Sequence, residues 1–163
     1  MDSLFHVDGK PFFSIGGQLN NSTSSDPALT EKAFKTCVGL GLNTVAAPVH
    51  WELFEKEEGA YDFAQIDMLM ELARRSGLRL VVLWFGTWKN GNSHYVPEWV
   101  KLQKERFLWA KANDGAEIRA LSPTCEETKK ADMRAFCELC GHIARNNADG
   151  CVIGIQIENE PGI

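Results

Sequence analysis

The 163-residue chain has 44% hydrophobic and 24% charged residues, the balance of an ordinary soluble globular domain. Its formal net charge of −5 argues against nucleic acid as a partner, because phosphates call for a basic surface. No apolar stretch approaches the ~20 residues of a membrane span, and the first residues lack the features of a secretory signal. We therefore expect a cytoplasmic protein without a membrane partner. The odd count of five cysteines argues against a complete disulfide framework and favours a reducing compartment.

The chain begins with a predicted hairpin. Apolar residues flank Asp8-Gly9, and Asp-Gly between apolar runs is a strong signal for a tight turn. The second arm is expected to continue over residues 12–18 as the first buried strand. Asp26-Pro27 fits the start of a helix, since Asp caps free amides and Pro suits the first turn. The apolar stripe expected on this helix comprises Leu29, Ala33, Cys37 and Val38.

Further helices and strands alternate along the rest of the chain. Strands are predicted over residues 43–49 and 79–85, and the second of these is almost continuously apolar, as a strand covered on both faces should be. The helix between them should bury Ile66, Leu69, Met70 and Ala73. Residues 86–125 are expected to be a long functional loop. The helix that follows should bury Met133, Phe136, Cys140, Ile143 and Ala144, and a fourth strand begins near residue 152. This alternation predicts an α/β fold with a parallel sheet.

The fourth strand carries hydrogen-bonding groups on one side. Alternate residues of a strand lie on the same face, so Ile153, Ile155 and Ile157 share one face. The opposite face ends in the carboxylates of Glu158 and Glu160. Pro161-Gly162 then ends the strand. In (β/α)8 barrels, catalytic groups lie at the carboxyl ends of strands. The strand is therefore interpreted as a buried barrel strand that delivers Glu160 into a site.

The run Ile155-Gln-Ile-Glu-Asn-Glu-Pro-Gly162 resembles the strand-four signature of family 35 glycoside hydrolases, which are β-galactosidases of the clan of retaining (β/α)8 glycosidases. It is less similar to the family 42 barrel domain. The resemblance implies a TIM barrel with Glu160 as the general acid/base and Asn159 as a ligand of the sugar 2-hydroxyl. Because a complete barrel needs ~250 residues, residues 1–163 are expected to be its N-terminal half, with strands 1–4 and a preceding β-hairpin. The nucleophile would come from a seventh strand that this chain lacks, so the isolated chain is expected to be inactive.

Two more stretches carry the resemblance: Val49-His-Trp-Glu-Leu-Phe-Glu55 at the end of strand two and Leu83-Trp-Phe-Gly-Thr-Trp-Lys-Asn-Gly91 in the strand-three region. Sugars present hydroxyls and C–H faces that stack on aromatic rings, so polar and aromatic groups at strand ends are candidates for binding. The predicted substrate-binding residues are Asn159, Trp88, Asn90, His50, Trp51 and Glu158. The family's Arg-Pro-Gly-Pro-Tyr run at strand three is absent, and Pro161 stands where Tyr is usual. These departures bear on the preference for galactose.

Several alternatives remain open. Glu160 is also compatible with a structural carboxylate that bonds the backbone amides of the next turn. Another retaining glycosidase of the β-mannosidase or β-glucosidase type fits the same motif, as does a non-catalytic carbohydrate-binding fragment. A dinucleotide-binding α/β protein is disfavoured because no Gly-x-Gly-x-x-Gly follows the first strand. No cofactor is implied, and the four histidines show no metal-ligand spacing. The expected function is hydrolysis of terminal β-linked sugars, with oligomerisation of a longer protein left open.

Overall fold

The computed structural model describes residues 4–160. β3, β4, β5 and β8 form one sheet in that order, and this sheet is parallel. Two antiparallel hairpins, β1–β2 and β6–β7, accompany it. In chain order the elements are β1 His6–Val7, β2 Lys10–Pro11, β3 Gly16–Gln18, α1 Pro27–Gly39, β4 Thr44–His50, α2 Trp51–Phe54, α3 Ala64–Ser76, β5 Arg79–Lys89, α4 Glu98–Leu102, β6 Trp109–Lys111, β7 Glu117–Leu121, α5 Glu126–Asn146 and β8 Val152–Asn159. The predicted α/β fold with a parallel sheet is confirmed. Within residues 4–160, no helix has the length and apolar character needed to cross a membrane.

The predicted N-terminal hairpin is confirmed by the pairing of β1 with β2. Asp8 and Gly9 have φ values of 52° and 71°, and positive values at both central positions are what a type I′ turn requires. The predicted continuous strand over residues 12–18 was wrong in extent, because only Gly16–Gln18 is a strand. Just before it, the Ile15 N–H donates to the side-chain oxygen of Asn43 at 2.8 Å, so a side chain replaces the ladder partner.

The described chain divides into two compact units. The first comprises residues 4–48, 64–82 and 143–155, and in it α1 packs against α3. Asp26 caps α1 as predicted, since its carboxylate accepts the Leu29 N–H at 2.9 Å. The stripe predicted for α3 is confirmed, because all four of its members are buried: Ile66, Leu69, Met70 and Ala73.

The stripe predicted for α1 was only partly right: Cys37 is buried as predicted, but the other predicted members are not. Leu29 and Val38 are exposed, whereas Thr30, Phe34 and Cys37 are buried. The hydroxyl of Thr30 donates to two main-chain carbonyls of the preceding turn, at 2.7 and 2.8 Å. A satisfied threonine therefore occupies the buried face, and an apolar pattern does not count it.

The second unit comprises residues 49–63, 83–142 and 156–160. Its core is aromatic, and its fully buried rings are Trp51, Phe54, Trp84, Phe85 and Phe107. The predicted loop over residues 86–125 is partly regular, since it contains α4 and the β6–β7 hairpin. Arg106 in this stretch forms a two-pronged ion pair with Glu58, with both N–O distances at 2.7 Å. Such fork-to-fork pairing fixes the relative position of two loops.

The stripe predicted for α5 was largely wrong. Met133 is 55% exposed and Ala144 is exposed, although Ile143 is buried as predicted. The side chains that α5 buries are Thr128, Ala131, Asp132, Ala135, Leu139 and Ile143. The reason is chemical, because the buried Asp132 accepts the indole N–H of Trp84 at 2.8 Å. That bond turns a charged residue inward and turns Met133 outward.

Candidate active site

A two-residue turn ends β5 and shapes the site. Asn90 and Gly91 have φ values of 54° and 67°, which are the signs that a type I′ turn requires. Lys89 and Asn92 exchange both main-chain hydrogen bonds across the turn, at 2.7 and 3.1 Å. Asn-Gly is the dipeptide most favoured in this turn, so the chain reverses sharply at the end of the strand.

Main-chain hydrogen bonds tie this turn to the end of β8. The Asn90 N–H donates to the Asn159 carbonyl at 3.2 Å, and the Gly91 N–H donates to the Glu160 carbonyl at 3.1 Å. Glu158 and Glu160 have φ values of 60° and 54°, a conformation that costs a non-glycine residue about 1–2 kcal/mol. The strand alternation is therefore broken at its end. The turn fixes the backbone of Glu160, and Glu160 as a whole is an exposed residue.

Lys89 joins the two predicted amide ligands. Its ammonium donates to the side-chain oxygens of both Asn90 and Asn159. The residue is only 8% exposed, and its Nζ atom lies 5.0 Å from the centroid of the Phe85 ring. A buried ammonium over an aromatic face is stabilised by the ring quadrupole. Lys89, Asn90 and Asn159 thus form one hydrogen-bonded group.

Glu158 binds the backbone at the end of β5. Its two carboxyl oxygens accept the N–H groups of Thr87, at 2.8 Å, and of Trp88, at 2.7 Å. Asp132 meets the same strand from α5, accepting the Thr87 N–H at 2.9 Å and the Thr87 hydroxyl at 2.5 Å. The two acids therefore clamp Thr87 and Trp88, and Glu158 has no need of a ligand to satisfy its oxygens.

The surroundings of Glu158 favour the protonated form of its carboxyl group. Burial raises the pKa of Glu158 well above the ordinary value of 4.5, and hydrogen bonding to Asp132 and its charge act in the same direction. The Trp88 and Thr87 amides oppose this rise by favouring the ionised form. Burial is the larger effect, so we infer that Glu158 keeps its proton at neutral pH. A neutral carboxyl group can donate to Asp132 while still accepting backbone amides.

Gly86 leaves the space that the clamp occupies. A Cβ atom on Gly86 would lie 2.3 Å from Trp84 Nε1, 2.6 Å from Glu158 Oε1 and 2.7 Å from Asp132 Oδ1. All three distances are shorter than real carbon contacts, and all three atoms are held by hydrogen bonds. The clamp therefore requires glycine at this position.

An apolar pocket of about 360 Å³ lies beside the clamp. Its lining includes Trp88, Met133, Phe136 and Ile157, and Glu158 also contributes to it. The Trp88 indole N–H donates to the Leu121 carbonyl at 3.2 Å. This bond fixes the ring, so Trp88 presents an oriented aromatic surface to the pocket.

The histidine and tryptophan predicted at the end of β4 differ in their surroundings. His50 is 2% exposed and stacks on Tyr95 with ring centroids 4.6 Å apart. It also lies 5.7 Å from Phe85, the ring beneath Lys89. Trp51 is fully buried, and its indole N–H donates to Glu55 at 2.7 Å.

Glu55 is a buried acid that sequence reasoning did not identify. It accepts the Gly59 N–H at 2.7 Å as well as the Trp51 indole, and burial raises its pKa. The two bonds join α2 to the turn that follows it, so the role of Glu55 is structural. Together with Trp51 it forms a packed unit that presents no open face.

The structure thus brings together Trp88, Asn90, Glu158 and Asn159 at the ends of β5 and β8. Lys89, Gly86 and Asp132 belong to the same group; Gly86 and Asp132 were missed as site residues, and Lys89 was not among the predicted substrate-binding residues. The Asn90-Gly91 dipeptide is a local signal that would have located the turn. No local signal marks Asp132, because its partners on β5, Trp84 and Thr87, lie more than forty residues away along the chain.

Comparisons with known proteins identify a family and several relatives. The model of the family "Glycosyl hydrolases family 35" matches residues 4–163. A "Beta-galactosidase" from Xanthomonas manihotis is 25% identical over 161 residues, covering 97% of this chain and 25% of that protein. An "Exo-beta-D-glucosaminidase" from Pyrococcus horikoshii is 28% identical over 140 residues, covering 74% of this chain and 17% of that protein.

Solved structures with similar folds are TIM-barrel glycosidases. The catalytic domain of β-amylase from Paenibacillus polymyxa aligns with a TM-score of 0.63 and 21% identity, over 86% of this chain and 35% of that chain. The exo-β-1,4-mannosidase Op5Man5 from Opitutaceae bacterium strain TAV5 aligns with a TM-score of 0.69 and 19% identity, over 98% of this chain and 27% of that chain. At these identities the likeness concerns the fold alone.

The chain spans about a quarter or less of the length of the curated relatives described above. The family match nevertheless covers nearly all of it, including the end of β8, where the strand-four signature lies. The predicted relationship is therefore confirmed, and the chain belongs to glycosyl hydrolase family 35.

Proposed function

We propose that this chain is the N-terminal half of the (β/α)8 catalytic domain of a β-galactosidase-like enzyme that hydrolyses terminal β-linked sugars with retention. The observation that carries the proposal is the Asn159-Glu160 pair at the end of β8, bonded through its main chain to the turn after β5. Strand ends are where barrel enzymes hold catalytic groups. A relative named "Beta-galactosidase" supports the choice of sugar.

In this proposal Glu160 is the general acid/base. Retaining glycosidases use two carboxyl groups ~5–5.5 Å apart. Glu160 donates its proton to the departing glycosidic oxygen while a second carboxylate attacks the anomeric carbon. It then takes a proton from water as that water displaces the covalent sugar, which restores both groups. Its exposed position suits a group that must meet both a leaving group and water.

Asn159 and Trp88 are the proposed sugar contacts at the ends of β8 and β5. The half-buried Asn159 offers an amide for the sugar 2-hydroxyl, and Trp88 offers an oriented ring. His50 is proposed to contribute to sugar binding through its stack with Tyr95 beside Phe85. For Asn90, Glu158 and Trp51, the observed bonds to Lys89, the β5 backbone and Glu55 favour a supporting role instead.

The nucleophile in this proposal lies outside the 163 residues, on a later strand of the barrel. The isolated chain would therefore bind a sugar at most and would not complete the double displacement. That this chain covers only 25% of the Xanthomonas relative supports the proposal. The cytoplasmic location expected for this protein and the oligomeric state of the longer protein stay predictions.

A second sugar preference is also supported by a specific observation. The relative from Pyrococcus horikoshii is named an exo-β-D-glucosaminidase, and the family's usual run at strand three is absent from this chain. A retaining glycosidase acting on a terminal β-linked sugar other than galactose is therefore the second candidate. Both candidates share the roles proposed for Glu160 and Asn159.

The test compares the 163-residue chain with an extended protein, defined as the longer protein that the proposal requires, in which four further βα units follow this chain. Each would be assayed with nitrophenyl β-galactoside, β-glucoside, β-mannoside and β-glucosaminide, and a mock purification from host cells without the expressed gene controls for host enzymes. We expect galactoside hydrolysis by the extended protein alone. Hydrolysis by the isolated chain would contradict the half-domain proposal. Preference of the extended protein for another glycoside would favour the second candidate. Failure of the extended protein with every substrate would contradict glycosidase function.

A further inference from the structure

Lys89 is a nearly buried cation that the proposed chemistry does not use. It is 8% exposed, and burial of an ammonium is costly without compensating partners. Among residues 4–160 its side-chain nitrogen bonds two amide oxygens and forms no ion pair with a carboxylate. Two neutral groups and an aromatic ring compensate a buried cation less well than a carboxylate would, so a structural role alone does not account for this arrangement.

The chemistry of the ammonium group determines how Asn159 is oriented. Lys can only donate hydrogen bonds, so the amide of Asn159 must turn its oxygen toward Lys89. The amide NH₂ group of Asn159 is then directed away from Lys89 and is available as a donor. The main chain of Asn159 is held separately by the Asn90 N–H. Both the backbone and the side chain of Asn159 are therefore anchored from the end of β5.

Lys89 is itself held in place. The side-chain oxygen of Asn90 accepts from the same ammonium, and Asn90 sits in the left-handed conformation of the turn. The Phe85 ring lies 5.0 Å beneath the nitrogen. These contacts restrict a side chain that otherwise has four rotatable bonds, so little entropy remains to be lost when a ligand binds.

We propose that Lys89 is a positioning residue that sets the orientation of the Asn159 amide, so that Asn159 presents an N–H donor to the 2-hydroxyl of the bound sugar. The inference rests on the proposed function, because it assumes that Asn159 meets that hydroxyl. It adds that recognition of the 2-hydroxyl depends on a cation that does not itself touch the sugar. Loss of Lys89 should therefore affect only substrates that carry this hydroxyl.

The experiment measures kcat/KM of the extended protein with nitrophenyl β-galactoside and with its 2-deoxy analogue. The variants are Lys89→Met, which removes the charge at similar length, Asn159→Ala, and the exposed Lys35→Met as a matched control. We expect Lys89→Met to lower kcat/KM for the galactoside about tenfold, the effect of one misdirected hydrogen bond, and to leave the 2-deoxy substrate unchanged. Lys35→Met should change neither value.

Equal losses on both substrates in Lys89→Met would overturn the inference, since they would indicate a general structural effect. If Lys89→Met does not fold, Lys89→Gln retains a donor to the Asn159 oxygen and should keep most of the discrimination between the two substrates. Equal losses in Lys89→Gln would likewise overturn the inference. Asn159→Ala separates the two levels of proposal. If it fails to reduce the preference for the 2-hydroxyl, the role of Asn159 in the proposed function is wrong, whereas an effect in Asn159→Ala without one in Lys89→Met refutes only the role of Lys89.

Discussion

The substitution Gly86→Ala probes the clamp that orders the end of β5. The new Cβ atom would lie 2.3 Å from Trp84 Nε1, 2.6 Å from Glu158 Oε1 and 2.7 Å from Asp132 Oδ1. None of these atoms is the free end of a flexible chain, because Trp84 donates to Asp132 at 2.8 Å and Glu158 accepts two backbone amides. The structure therefore has no inexpensive way to accommodate one methyl group.

The cost of Gly86→Ala has two parts. Overpacking of a well-filled interior costs about 1–3 kcal/mol, and a lost buried hydrogen bond to a charged acceptor adds about 1.5–3 kcal/mol. We expect a decrease of about 3–5 kcal/mol in the free energy of unfolding. Because a domain has only about 5–15 kcal/mol in total, the variant should be close to unfolding at room temperature.

Urea unfolding followed by tryptophan fluorescence measures this decrease. With a slope of about 2 kcal/mol per molar urea, a 4 kcal/mol loss lowers the midpoint by about 2 M. The matched control is Gly39→Ala at the end of α1, where a Cβ atom meets nothing within 4 Å and stability should stay the same or rise slightly. A Gly86→Ala midpoint within about 0.3 M of the parent would refute the clamp geometry.

Three further predictions concern stability. The folded-state pKa of Glu158 is raised, so the free energy of unfolding of the parent should fall as pH rises above about 4.5. Glu158→Gln should flatten this pH dependence, measured as urea midpoints from pH 4.5 to 9. An unchanged dependence of the midpoint on pH would contradict the raised pKa. The Arg74 guanidinium lowers the pKa of Asp149 to about 2, so the ionised Asp149 stabilises the fold above pH 3.8 and this stabilisation is lost as pH falls toward 2. Asp149→Asn should abolish this component of acid unfolding, which is small because the ion pair is exposed. Identical acid-unfolding curves for Asp149→Asn and the parent would count against the ion pair. Asp26→Ala should lower thermal stability by about 1 kcal/mol because the Leu29 N–H loses its cap, and Asp26→Asn should restore it; equal stability of Asp26→Ala and the parent would exclude the cap.

Sequence patterns predicted the helix whose buried face is purely apolar. Ile66 and Ala73 of α3 lie where the 3.6-residue period expects them. The same method was wrong for α5, because Asp132 occupies the buried face and is satisfied by Trp84 and Thr87. Hydrophobic periodicity counts an aspartate as exposed. Which polar residue is buried depends on partners supplied by distant strands.

The candidate site shows the same division between local and distant information. The motif around Glu160 was recognisable because its residues are consecutive, and the Asn90-Gly91 turn is equally local. The contact of Lys89 with Asn159 joins residues seventy positions apart, and nothing in either neighbourhood announces it. Trp51 illustrates the converse, since an aromatic residue at a strand end is fully buried here. Residue type and strand position indicate a candidate, but the packing around it determines its role.

The central claim is that Glu160 is the proton donor of a retaining glycosidase. It is tested most directly by kcat/KM of Glu160→Gln in the extended protein, measured with a methyl and with a dinitrophenyl β-galactoside. The dinitrophenolate group leaves without protonation, so its kcat/KM should be nearly unchanged, whereas the methyl galactoside should lose about 10²–10⁴-fold. Equal losses with both leaving groups, or no loss with either, would contradict the assignment.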